Sequence, residues 1–185
     1  MLKALIVFLA LIPAAAFAAP WQLAPETTVA VDVGWQGNTV TVRFPTLSGR
    51  IDFDRDHPER AQATIRVATT DATTGAGVVD NLLRSKDYLD AADYPAISFQ
   101  LDNLTQTSKS TAEVAGRVTL RGVTKPVAFK AQVTRYAPSP DDPDRFEAGF
   151  DLTGSIDRTE FGSTGGLPQV AAVLPVRINL VMTSK

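Results

Sequence analysis

The chain has 185 residues with no cysteine, and 18 basic side chains stand against 20 acidic ones, a net charge of −2. The missing cysteines exclude disulfides, thiolate chemistry and cysteine-ligated metal. A near balance of charge, with no basic amphipathic stretch, gives no basis for nucleic-acid binding or for adhesion to an anionic membrane surface.

The first eighteen residues, MLKALIVFLALIPAAAFA, read as a cleaved signal peptide. Lys3 supplies the positive start, Ala4–Ile12 the apolar stretch, and Ala16-Phe17-Ala18 a small-x-small cleavage site. The apolar run is broken by Pro13 and falls short of the roughly 20 residues a membrane span needs. The expectation is an exported, periplasmic protein whose residues 19–185 form one domain. A homodimer and transient membrane contact are left open.

Period-two alternation dominates the rest. Val29, Val31, Val33 and Trp35 alternate with small or polar residues, and so do Val40, Val42 and Phe44. Ile51 with Phe53, Ile65 with Val67, and Ile97, Phe99 and Leu101 follow. Val118 with Leu120, Val127 with Phe129 and Val133, Phe150 with Leu152, and Val176, Ile178 and Leu180 complete the series. Each run has one apolar face, as half-buried antiparallel strands do. Turn-rich segments separate them: QGN at 36–38, DRDHPER at 54–60, NLTQTSKST at 103–111, RGVTKP at 121–126 and PSPDDPD at 138–144. The pattern predicts an all-β fold of about eight strands, a closed antiparallel barrel with a sandwich as runner-up. One interval departs from it. Val78, Val79, Leu82 and Leu83 stand at helical spacing, which predicts a short helical insertion around 75–93 with Thr73 or Thr74 capping its start.

Catalytic signatures are thin. His57 is the single histidine, and its setting between Asp56 and Pro58 reads as a solvated turn; one imidazole makes a poor metal site. There is no G-x-S-x-G, and the GSTGG at 162–166 lacks the ending of a phosphate-binding loop. No catalytic residue, metal or cofactor is expected. The inward faces of the strands instead supply apolar wall material. Phe44, Phe53, Ile65, Phe99, Leu101, Phe129, Phe150 and Phe161 are candidates to line an interior, each open to being plain core.

The stretch LLRSKDYLDAADYPAISF, residues 82–99, resembles the LRS-x-DFFD…YP-x-x-x-F signature of the YceI-like lipid/polyisoprenoid-binding proteins. GRVTLRGVTKPVAFKAQV at 116–133 is similar to that family's G-x-L-T-x-RGVTKPV, DRTEFG at 157–162 to its R-x-DFG, and GRIDFD at 49–54 to its G-x-I-x-FD. Tyr88-Leu89 stands where the family pairs aromatics, and Glu160 where it has Asp. The resemblance implies a lipocalin-like barrel with an elongated apolar cavity for an isoprenoid quinone, a polyprenyl phosphate or a similar amphiphile. On that view 82–99 is a lid, with Leu82 and Leu83 facing the guest or core and Tyr88 closing one end. Arg84, Arg121 and Arg158 are head-group candidates, each weighed against the favoured reading of a structural pair with neighbouring aspartates or a carbonyl cap. A carrier without catalysis is the leading expectation. A structural or stress-related exported module with a filled barrel, or a barrel-pocket enzyme, stands as the alternative.

Overall fold

The structure is a computed structural model that describes residues 20–140 and 142–184; the leader expected over residues 1–18 lies outside them. Its strands are β1 (Pro20–Leu23), β2 (Thr28–Trp35), β3 (Asn38–Phe44), β4 (Leu47–Asp52) and β5 (Gln62–Ala68). After the helix α1 (Gly77–Arg84) come β6 (Ala96–Gln106), β7 (Thr111–Leu120), β8 (Val123–Pro138), β9 (Phe146–Asp157) and β10 (Val173–Ser184). Every pairing between them is antiparallel.

The sheet closes through β10, which pairs with β2 along Val176–Asn179 and then with β1 from Met182 to Ser184. β1 and β2 thus act as halves of one interrupted strand, and β3 and β4 as halves of the next, giving an eight-strand ring. This closure excludes the sandwich. Thr27 repairs the break: its Oγ1 donates to Val181 O at 2.8 Å and accepts from Val181 N at 3.1 Å, taking over a lost rung of the ladder. Two tight turns need left-handed backbone, Gln36-Gly37 at φ 49 and 82 and Arg121-Gly122 at φ 52 and 74. Both are two-residue hairpin loops of the primed kind that matches strand twist.

Meander topology sorts the connections. Those after β4, β6 and β8 fall at one end of the barrel, with the start of β1 and the end of β10; those after β2, β5, β7 and β9 fall at the other. The long 69–95 and 158–172 connections plug this second end and are stitched together where Gly165 N donates to Asp87 O at 2.9 Å. The 69–95 segment is also tied to the edge of β3, since Arg43 and Thr73 exchange backbone hydrogen bonds of 2.8 and 2.9 Å.

The helical insertion is shorter than the predicted 75–93: α1 ends at Arg84, and turns follow. Its apolar stripe divides. Val79 and Leu83 turn inward, whereas Val78 is 86% and Leu82 53% exposed. The cap differs as well. Ala76 is the N-cap and makes no side-chain bond. Thr73 and Thr74 instead donate to Asp80, the one buried residue of the helix, so that the helix anchors the loop before it.

Candidate functional site

The barrel encloses a cavity of about 600 Å³. Its wall is built from the inward positions of the strands, because side chains of period two share a face. Of the residues picked from the sequence, Phe44, Phe53, Ile65, Leu83, Phe99, Leu101, Phe129 and Phe150 line it. Val29, Val31 and Val33 of β2 and Ile178 and Leu180 of β10 also line it, and were legible only as alternating strand positions.

Three chosen residues lie elsewhere. Leu82 is on the outer face of α1, in solvent. Tyr88 packs against the glycines of the 158–172 connection, where a Cβ on Gly165 would meet its ring at 2.6 Å. Phe161 is 2% exposed and packs at the plugged end in one cluster with Leu89 and Leu120, which line the cavity while Phe161 does not.

The three head-group arginines all sit at the plugged end and bond to the protein there, though the buried Nε of Arg121 finds no hydrogen-bond partner among the described residues. Arg84 donates to Ala72 O at 3.2 Å and to Asn81 Oδ1 at 3.1 Å. Arg121 donates through one terminal nitrogen to Lys86 O at 2.6 Å and Tyr88 O at 3.1 Å, tying the β7–β8 turn to the chain beyond α1. Arg158 touches the cavity floor but is 4% exposed. It donates to the carbonyls of Ala171, Ser163, Gly165 and Val170 at 2.8 to 3.0 Å. Burial lowers its pKa from the ordinary arginine value, and the Tyr88 ring lies 5.8 Å from its guanidinium carbon. Arg158 is therefore the organiser of the 158–172 loop, since a buried guanidinium is stable only where its donors are met.

The cavity opens at the other end. There its lining includes the exposed residues Arg55, Gln62, Gln106, Lys109 and Ser110, together with Pro58 and Tyr136. Trp21, Phe53, Tyr136 and Phe150 form an aromatic cluster just inside, with ring centroids 5.7 to 6.2 Å apart. Trp21 Nε1 donates to Phe53 O at 2.8 Å and fixes the root of the β4–β5 loop. Lid-like placement thus belongs to this loop, and the 82–99 stretch is a plug. Sequence reading missed the mouth because exposed charges in a turn look alike wherever the turn sits.

His57 is exposed and in contact with Glu59, Nδ1 to Oε1 3.4 Å, and does not line the cavity. Among the described residues, no three potential metal-ligating side chains come together.

A family profile for the YceI-like domain matches residues 21–182. A UPF0312 protein of Pseudomonas fluorescens is 38% identical over 128 residues, 66% of this chain and 64% of that relative. The chain thus spans under two thirds of that relative's length. Among solved structures, Burkholderia cenocepacia BcnA superposes with a TM-score of 0.76 at 19% identity, covering 84% of this chain and 96% of that one. A Campylobacter jejuni YceI protein gives 0.72 at 24%, covering 80% and 86%. A polyisoprenoid binding domain from Saccharophagus degradans gives 0.67 at 17%, covering 91% and 99%. These likenesses speak for the fold. With the profile running from the first strand of the ring to the last, the chain belongs to the YceI-like family.

Proposed function

We propose that this protein is a non-catalytic carrier that holds the tail of an isoprenoid or similar long amphiphile inside its barrel. The observation that supports this most is the cavity itself, closed at one end, open at the other, and walled by valine, leucine, isoleucine and phenylalanine. The family and the polyisoprenoid-binding structural relative point the same way. The signal-peptide pattern of residues 1–18 supports export to the periplasm as its place of action.

Size narrows the guest. At about 30 Å³ per carbon-sized group, the volume share of a water in the liquid, the cavity takes about twenty carbons. At about 0.8 kcal/mol per buried CH₂, such a tail gains roughly 16 kcal/mol gross. Immobilisation, and the tail's alternative refuge in a bilayer, offset much of that. Affinity for grease alone therefore discriminates little, and selectivity rests on length and on the mouth.

Native mass spectrometry of protein purified without added lipid, then offered geranylgeraniol, tests the proposal. A retained apolar adduct or one-to-one uptake is expected. A clean protein mass that takes up no tail would overturn it.

A further inference from the structure

We infer that the mouth is a head-group site for an anionic amphiphile, built from Arg55 and Lys109, with the β4–β5 loop as its cover. This inference rests on the tail-carrier reading and goes on to name the class of head group.

The first observation is where the loop goes. Arg55 belongs to the connection between β4 and β5, and its guanidinium carbon lies 4.6 Å from the ring centroid of Tyr136 on β8. Around the ring, β8 is separated from β5 by β6 and β7, and from β4 by β1, β10 and β9. A side chain that joins these two places spans the opening. Lys109 enters from a third direction, the β6–β7 turn, and lines the same mouth.

The second observation is charge. Among the described residues that line the cavity, Arg55, Lys109 and the carbonyl-bound Arg158 are the charged ones, and no carboxylate joins them. The acids of the β4–β5 loop, Asp54, Asp56 and Glu59, do not line the cavity. Asp54 Oδ1 accepts from Asp56 N at 2.9 Å, and Glu59 contacts His57 at 3.4 Å and Arg60 at 3.8 Å. Among the described residues Arg55 and Lys109 take part in no ion pair, so Arg55 rests on an aromatic face, a contact worth less than a pair with an anion. Gln62, Gln106, Ser110 and Thr111 add neutral donors around the same rim.

A tail in the cavity therefore leaves its head among two cations and several donors. A phosphate or carboxylate there gives Arg55 a stronger partner than Tyr136, and the loop trades its resting contact for a closed one over the guest. A neutral alcohol or ring gains no such pairing.

The test compares geranylgeranyl phosphate with geranylgeraniol, which share a tail, by calorimetry on the folded protein at low salt. The wild type should bind the phosphate at least tenfold tighter, about 1.4 kcal/mol. Arg55→Gln with Lys109→Gln should bring the ratio to near one by weakening the phosphate at least tenfold more than the alcohol, while Arg60→Gln leaves the ratio as it was. Equal binding of the two by the wild type, or a preference that survives in the double variant, would overturn the head-group assignment and leave the carrier standing. Failure to bind either compound would remove the carrier reading and this inference with it.

Discussion

Three inward positions of the barrel wall are glycines, and each lies beneath a large cavity-lining side chain of the next strand. A Cβ on Gly116 would meet the Phe99 ring at 2.5 Å, one on Gly154 the Phe129 ring at 2.6 Å, and one on Gly49 the Ile65 Cδ1 at 2.8 Å. Phe99 and Phe129 then meet edge to face, with centroids 6.1 Å apart. A ring that fills the space above a glycine of the neighbouring strand leaves the barrel axis open. This is how so many phenylalanines coexist with a hollow interior. Replacing Gly116 by Ala should cost about 1–3 kcal/mol, because the new methyl also meets Gln100 O at 2.4 Å and the backbone must move. Gly34→Ala, which would meet only Ala171 Cβ at 3.3 Å, should cost clearly less. Urea midpoints of the two variants check this; equal losses would show that the roofing contacts carry no weight. In the sequence these glycines were visible only as interruptions of strands, where close approach is the usual reason.

Among elements, the 69–95 segment is held by carboxylates whose placement no periodicity reveals. Asp80 accepts from Thr73 Oγ1 at 2.6 Å, Thr74 N at 2.6 Å and Thr74 Oγ1 at 2.7 Å. Those bonds, led by Thr73, hold its carboxyl below the ordinary carboxylate pKa; Asp71 is lowered likewise, chiefly by Thr46. A lowered folded pKa means that the stabilisation is complete above the unfolded value, near 4, and is lost as pH falls through the folded one. Asp80→Asn should therefore melt below wild type at pH 7, and the gap should narrow once pH drops below about 4. Melting curves across that range settle it: a gap that persists undiminished in acid would sink the clamp. The strands, their turns and the presence of one helix were legible because alternation and turn chemistry are local. The helix's inner face was not, because the plug covers only part of it, and a buried Asp inside α1 breaks the apolar stripe. The arginines illustrate a different limit. Arg84, Arg121 and Arg158 follow β5, β7 and β9, so a meander sends all three to one end; which end is open depends on how the long connections pack, and that is not written in any short motif.

At the scale of the whole molecule, the packed clusters sit in the wall and at the two ends. Trp21, Ile51, Ala148 and Met182 close ranks near the mouth, and Val42, Phe44, Leu89, Leu120 and Phe161 near the plug. Between them Val31 faces the hollow, in contact with the plug cluster and with a third around Phe129 and Val176. A solid barrel and a hollow one respond oppositely to added volume at this position. In a filled core, Val31→Phe forces neighbours off their rotamers and costs about 1–3 kcal/mol. In a hollow one the ring enters free space, buries its own apolar surface, and occupies room that a tail would need. The expected result is a urea midpoint equal to or above wild type together with reduced uptake of geranylgeraniol in native mass spectrometry. A destabilised variant that still takes up the tail would mean that the space near Val31 is not where a guest lies. The two readouts must move in opposite directions because one volume serves both, as the flaw in the protein's packing and as the seat of its ligand.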